Sequence, residues 1–532
     1  MGKVVVIGID GATWDLLDVL MDRGVMPCLN EIVKDSAKGH LQSTYPPVTA
    51  PAWVSIATGV NPGKHGCFDF NRAEGSLSKI RPLQSWDIQS KTFYEILSEK
   101  SKRTILLNLP GTFPPLTSNI TITSLLTQGD NCVFPENLKD ESNIFKNYRI
   151  FPDTSLLKKG DLQGYIKDIK QIEKLRFEAM KHLFKKDWDC FFVVFSGGDW
   201  ISHEIFAEMV EGKAPKESYE IFHLFDEAVR FAAESLKGDD TLILVSDHGF
   251  KKAKGVLHIN ELLLKKGFLE PDFLNPSPPM SHKMEEKLFD EGDYKKVSPN
   301  ILRLGLNNVF IEKTIRAIRK LGFSYPLFLK PETSRSLAMM MTSESYGITI
   351  NDKNRFADGK IEKTEISEIK EKLKSFLLEI EFNGEKVFKD AFYKEDVYSG
   401  EYVDSAPDII FGDSNWGYSS AIRTLEKNPF AVVPRGVHSH FGVFLCYGRN
   451  IVPKTVGKGV ISVEDITPMI LYLLEEKIPK NMDGKVIKEI IEEKFLEKHP
   501  VEYCDFEKPT RERRELDGDE IQKKLKSLGY MS

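Results

Sequence analysis

The stretch Val4-Val5-Val6-Ile7-Gly8-Ile9-Asp10-Gly11 opens the chain with a continuous apolar run closed by a turn pair. Such a run is the pattern of a strand buried on both faces, as in a parallel sheet. Asp10-Gly11 ends it, and helices are expected from Trp14 to Met21 and from Cys28 to Lys34. The alternation continues downstream. An apolar helix runs from Ala52 to Thr58 in a unit that begins near Thr44, and another helix from Lys91 to Glu99 precedes a strand from Thr104 to Asn108. A long charged helix is expected from Gly164 to Lys186. Cys190 to Phe195 and Thr241 to Ser246 read as further buried strands, with a helix from Tyr219 to Leu236 between them. Strands alternating with helices imply an α/β fold with a mostly parallel central sheet sandwiched by helices.

The rest is less regular. Residues 114–160 are polar and read as loops or a surface insertion. From 261 to 339 the chain turns Pro-rich and then basic, which reads as an inserted cap region. Strand signals return at Gly347–Asn351, Asp408–Gly412 and Val443–Cys446, and a helix is expected over Val463–Leu474. The catalytic core is thus expected to be discontinuous, 1–260 and 340–495, followed by a charged tail over 496–532.

Bulk properties narrow the function classes. The chain has 532 residues and a net charge of −6, which argues against a nucleic-acid polymer as partner, since such partners usually meet a basic face. Six scattered cysteines show no CxxC pair and read as reduced thiols. No stretch approaches the ~18–20 apolar residues of a membrane span, and the first residues enter a strand without the layout of a signal peptide. A cytoplasmic location is expected.

Polar residues competent to bind metal follow several predicted strands, the edge of an open α/β sheet where ligands bind. Asp10 ends the first strand; its plain reading is a turn aspartate. Thr49, in Thr49-Ala50-Pro51-Ala52-Trp53, suits a helix N-cap with Pro51 in the first turn. Alternatively its hydroxyl lies where backbone N–H groups and the helix dipole favour phosphate. Asp199-Trp200-Ile201-Ser202-His203 follows the third buried strand, and the spacing of four places both side chains on one helix face, able to reach one cation. Asp247-His248-Gly249 follows the fourth, where a sharp turn at Gly249 would let both side chains converge. Gly436-Val437-His438-Ser439-His440 precedes Val443–Cys446, and either histidine could be a ligand or a surface residue.

The joint order of these elements resembles the alkaline phosphatase superfamily, in its type I phosphodiesterase/nucleotide pyrophosphatase branch. That order is a strand with terminal Asp (Asp10), Thr-x-Pro (Thr49-Ala50-Pro51), and T-G-x-x-P-x-x-H-G (Thr58-Gly59-Val60-Asn61-Pro62-Gly63-Lys64-His65-Gly66). D-x-x-x-H (Asp199, His203), D-H-G (Asp247, His248, Gly249) and a late G-x-H (Gly436, His438) complete it. The resemblance implies an alkaline-phosphatase-like fold and two divalent metals, Zn²⁺ foremost and Mn²⁺ as alternative. One metal would be held by Asp199, His203 and His438, the other by Asp10, Asp247 and His248. It implies Thr49 as nucleophile of a phosphohydrolase acting on a small-molecule phosphate ester through a phospho-threonine. A mixed His/Asp set suits Zn²⁺ or Mn²⁺ and is too nitrogen-rich for Ca²⁺.

His440 is the less favoured ligand, since the family histidine follows Gly by two positions. His65 reads as structural. Lys64 and Asn71 are candidate phosphate contacts, although Phe68-Asp69-Phe70-Asn71 departs from the family pattern at that point. The alternatives are a phosphomonoesterase, or a phosphotransferase of the phosphoglycerate-mutase-like type. A sulfatase would need C-x-P-x-R where this chain reads Thr49-Ala50-Pro51-Ala52-Trp53.

Overall fold

The structure is a computed structural model that describes residues 2–77, 79–129, 131–277, 328–343, 345–412, 417–421, 430–431 and 436–512. Strand Val4–Ile9 lies in the middle of a ten-stranded sheet and is buried along its whole length. It pairs in parallel with Cys190–Phe195 on one side and Thr241–Val245 on the other. Thr104–Leu107 and Ile120–Ile122 extend the parallel run. On the far side, Phe441–Gly448 runs antiparallel to Thr241–Val245, and Ala37–Gln42 antiparallel to Phe441–Gly448. The expected α/β layering is therefore present.

Alternate residues of the first strand feed different cores, as the two-residue period of a strand requires. Val5, Ile7 and Ile9 join a cluster with helices Trp14–Asp22, Leu162–Leu183 and Lys216–Ser235. Val4 and Val6 join another with Phe93–Glu99 and Ile466–Leu473. Helix Thr49–Thr58 sits on the seam. Ala50 and Val54 pack with the first cluster, Trp53, Ile56 and Ala57 with the second.

Some expectations need correction. Ala37–Gln42 is a strand that the sequence did not announce; its AKGHLQ alternates buried and half-buried positions, and its polar residues hide the pattern. Residues 114–160 are not all loop, because Ile120–Ile122 and Val133–Phe134 form the edge of the central sheet. The strands near 347 and 409 form, as Gly347–Ile350 and Ile409–Gly412. They pair with each other in a separate four-stranded antiparallel sheet, flanked by Ala338–Met339 and Asp390–Tyr393. Of the region 261–339, helix Ile259–Lys266 buries Leu263 in the main core, and Pro271–Ser277 pairs with Phe328–Pro331. The remainder, 278–327, lies outside the described residues, as do the last residues of the tail from 513. Among the described residues, no helix is long and apolar enough to cross a membrane.

Candidate active site

Register brings the acidic residues together. Ile9 lies opposite Phe195 and Gly8 opposite Val245, so Asp10, Ser196 and Asp247 leave the sheet at nearly one level. Asp10 N–H is still tied to Phe195 O at 2.9 Å. Gly11 then turns with φ +69°, and its N–H donates to Asp247 Oδ1 at 3.2 Å. The turn reading of Asp10 thus holds, and the turn also delivers its carboxylate to Asp247.

Helix Gly197–Glu211 starts directly after its strand and carries Asp199 and His203 on one face. His203 Nε2 lies 3.4 Å from Asp199 Oδ1. His438 reaches the same carboxylate oxygen at 3.3 Å from strand Gly436–Ser439, which pairs antiparallel with Gly249–Lys252 and places His438 opposite Phe250. His438 Nδ1 is 3.0 Å from Pro47 O. A carbonyl only accepts, so Nδ1 carries a proton, and in the neutral ring Nε2, 3.1 Å from His203 Nε2, is the nitrogen left free for a cation.

The second group is built the same way. His248 Nδ1 donates to Gly249 O at 3.2 Å, leaving Nε2 as acceptor. That nitrogen lies 3.2 Å from Asp247 Oδ2, 3.7 Å from Asp10 Oδ1 and 3.1 Å from Thr49 Oγ1. Thr49 is the first residue of its helix, not the cap. The cap position is Val48, and the Thr49 hydroxyl faces His248. Trp53, one turn on, points its Nε1 at Asp10 Oδ2 from 3.4 Å. Helix Thr49–Thr58 is thereby tied to both carboxylate and imidazole of the same group.

Charge explains why these residues fit cations. In each group, Asp199–His203–His438 and Asp10–Asp247–His248, the donor atoms lie within 4.8 Å of one another. Burial, then the charge of Asp247, pushes the Asp10 carboxyl well above its usual range, and burial with the Asp199 charge lifts Asp247 to about 7. Burial, then His438, holds His248 well below an ordinary imidazole. Asp199 goes the other way: burial would raise it, but His203 and His438 outweigh burial and hold it well below. Asp10 Oδ1 and Asp247 Oδ2 are buried and accept no hydrogen bond. Buried anionic oxygens facing imidazole lone pairs are costly unless a cation sits among them. The donor set, three carboxylates and three imidazoles, therefore suits two divalent ions.

Other predicted residues are placed as follows. His440 stacks edge-on to Tyr45 and Phe441, outside both groups. His65 is fully buried; Cys67 N–H donates to its Nδ1 and Ser55 Oγ lies 2.9 Å from Nε2, and burial lowers its pKa to about 3. Lys64 is committed elsewhere, to Asp483 and to Asn481 O, so its ammonium is already neutralised. Asn71 lines a cavity of about 280 Å³ with Asp69, Arg72, Thr342 and Arg355, and both its amide atoms are buried without a hydrogen bond.

Sequence reasoning missed several supports. Phe250 packs against all three histidines. Ser246 Oγ donates to Ala12 O and accepts from Val443 N–H, joining the loop after the first strand to the antiparallel neighbour. Gly249 does not supply an unusual turn. It is required because a Cβ there would lie 2.1 Å from Phe441 O. Only Trp53 left a signal, its spacing of four from Thr49.

The family model of type I phosphodiesterase / nucleotide pyrophosphatase matches residues 4–438, spanning every residue of both groups. The chain belongs to this family. It is accordingly a phosphoric ester hydrolase of the alkaline phosphatase superfamily, of the metal-dependent phosphodiesterase/pyrophosphatase type. Solved structures share the fold. Human ectonucleotide pyrophosphatase/phosphodiesterase 5 superposes with TM-score 0.52 at 12% identity, covering 92% of this chain and 99% of that one. Phosphonoacetate hydrolase from Sinorhizobium meliloti 1021, in complex with phosphonoacetate, gives 0.51 at 13% identity, covering 88% and 94%. An inactive threonine-to-alanine variant of the murine phosphodiesterase 5, in complex with AMP, gives 0.50 at 12%, covering 90% and 96%. Among curated proteins, none matches.

Proposed function

We propose that this family member hydrolyses small-molecule phosphodiesters with Thr49 as nucleophile, between two divalent metals, Zn²⁺ foremost or Mn²⁺. The observation that carries the reading is the position of Thr49 Oγ1, 3.1 Å from His248 Nε2 of the Asp10–Asp247–His248 group, at the start of a buried helix. Asp199, His203 and His438 would hold one ion, Asp10, Asp247 and His248 the other. When bound, these ions supply the positive charge that makes a threonine alkoxide accessible and neutralises the phosphoryl oxygens.

The chain's own groups do the rest. The helix start adds positive potential where the phosphoryl group would sit. Trp53 fixes Asp10, and the carbonyls of Pro47 and Gly249 fix two imidazole tautomers, so the reacting geometry is set before substrate arrives. The Thr49 hydroxyl loses its proton as Oγ forms a bond to phosphorus, the P–O bond to the leaving group breaks, and the leaving oxygen takes up that proton, directly or through solvent, to depart as the alcohol. Water then cleaves the Thr49 Oγ–P bond, releasing a phosphate monoester and restoring the hydroxyl.

Asn71 is proposed as a substrate contact, supported by its two unpaired amide atoms on the cavity wall. The core is read as 1–260 with 340–495, and 261–339 as the cap. Five buried free thiols, Cys28, Cys67, Cys132, Cys190 and Cys446, support a reducing compartment, the cytoplasm.

The test is a panel of bis-p-nitrophenyl phosphate, p-nitrophenyl phosphate and p-nitrophenyl sulfate on metal-loaded protein. Diester turnover above monoester turnover, with the sulfate inert, supports the reading. Monoester turnover above diester, or phosphoryl delivery to an added alcohol in preference to water, overturns the diesterase assignment.

A further inference from the structure

Helix Gly197–Glu211 holds two of the six metal-competent residues, yet lacks a cap of its own. Ser196, at the cap position, has helical φ/ψ and makes no side-chain cap hydrogen bond; its hydroxyl instead accepts from Asn108 Nδ2 at 3.0 Å. The acceptor comes from another element. Glu173, on helix Leu162–Leu183, is fully buried, and its Oε1 accepts from Gly197 N–H at 2.7 Å. The same oxygen is ion-paired with Arg176, one turn along and also fully buried. Arg176 Nε donates to Tyr148 Oη at 3.1 Å, and its guanidinium lies 5.9 Å from the Trp200 ring, next to Asp199 in sequence.

We propose that Glu173 and Arg176 are positioning residues for metal binding: a buried ionic latch that clamps the first turn of the Asp199/His203 helix. Three observations converge on it. A carboxylate at a helix start satisfies an N–H that is otherwise left open and opposes the dipole. The approach is close enough to require Gly197, since a Cβ there would meet Glu173 Cγ at 2.8 Å. The helical segment is also short, because Ile205, with φ −142°, breaks it two residues after His203. Asp199 and His203 therefore cannot borrow rigidity from the later turns. The latch holds the start of the segment, and the sheet-edge histidine His438 meets it from outside. Loss of the latch lets the first turn fray and weakens the Asp199–His203–His438 group, while Asp10–Asp247–His248, built from sheet ends and the nucleophile helix, is left intact.

This inference rests on the two-metal reading, and its test separates the two. Glu173→Gln leaves Arg176 buried without its anion and can unfold the protein. The double variant Glu173→Leu with Arg176→Met removes both charges at similar volume and is the decisive one. In metal-free protein, hydrogen–deuterium exchange of peptides covering 196–204 is expected to rise at least about 10-fold, with 241–248 unchanged. Unchanged exchange over 196–204, or an equal rise in both regions, overturns the latch. In Zn²⁺ titrations the wild type is expected to bind two ions and the double variant to bind one of them about 10-fold or more weakly. A wild type that binds fewer than two ions overturns the two-metal reading, whatever the exchange result. Two ions bound with unaltered affinity in the double variant overturns the latch alone.

Discussion

His248 and His438 stack face to face, with ring centroids 3.6 Å apart and planes 21° from parallel. Each belongs to a different one of the two groups that could hold a metal ion, so the two groups share one packed wall. Each ring is turned by a backbone carbonyl on its Nδ1 side, Gly249 O for one and Pro47 O for the other. Pro47 stands two residues before Thr49, which links the late histidine to the turn that leads into helix Thr49–Thr58.

This stack predicts unequal consequences for two histidines of one group. His203→Ala removes a ligand from the half-exposed end and should cost one bound metal. His438→Ala removes a ligand and also the face against which His248 rests, and should weaken both. Metal content after dialysis, measured by elemental analysis, distinguishes them. Equal stoichiometry in the two variants would contradict the coupling.

Thr49→Ala should lower diester turnover on the order of 10³-fold or more, with metal content unchanged. Thr49→Ser keeps the oxygen and should retain measurable turnover. Steady-state rates on bis-p-nitrophenyl phosphate with parallel metal analysis give the result; full activity in the alanine variant removes the nucleophile assignment.

Phe250 is buried against His203, His248 and His438. Phe250→Ala should cost about 3–5 kcal/mol of stability through the cavity it leaves. The freed rings should also lower metal affinity in both groups. Denaturant unfolding of the metal-free protein and a Zn²⁺ titration measure the two effects separately.

Asp69 is buried, bonded to Phe70 N–H and the Thr342 hydroxyl, and burial raises its pKa to about 7. Its folded-state pKa lies above the unfolded value, so the native state holds the proton more tightly. Wild-type stability from this group therefore falls as pH rises from about 4 to about 7. Asp69→Asn keeps the shape without the ionisation. Its stability relative to wild type should improve by roughly 1.4 kcal/mol per pH unit across that window, then level off. Melting temperatures of both proteins at pH 5, 6, 7 and 8 test the trend, and a difference independent of pH would refute it.

The sequence alone determined the layering and the order of the metal-competent residues along it. Apolar runs as short and β-branched or aromatic as Val4–Ile9 and Cys190–Phe195 read as buried strands, and the polar residues that follow them emerge at one sheet edge. Asp10, Asp199, His203, Asp247 and His248 were legible for that reason, while Thr49 and His438 were singled out by the family resemblance; the structure brings the six metal-competent residues into two groups and Thr49 to His248. Tertiary structure alone decided what the local pattern does not encode. Strand Ala37–Gln42 carries Lys38, His40 and Gln42, and only its neighbour Phe441–Gly448 and the second core cover its other face. Lys64 looked available until Asp483, far along the chain, occupied it. The partners of the site are of the same kind. Phe250 becomes a wedge only when His438 pairs opposite it, and Glu173 becomes a cap only when Leu162–Leu183 packs across the start of another helix. Spacing along a chain reports which residues share a strand or a helix face. Which side chain closes on them from a distant segment is set by packing and register.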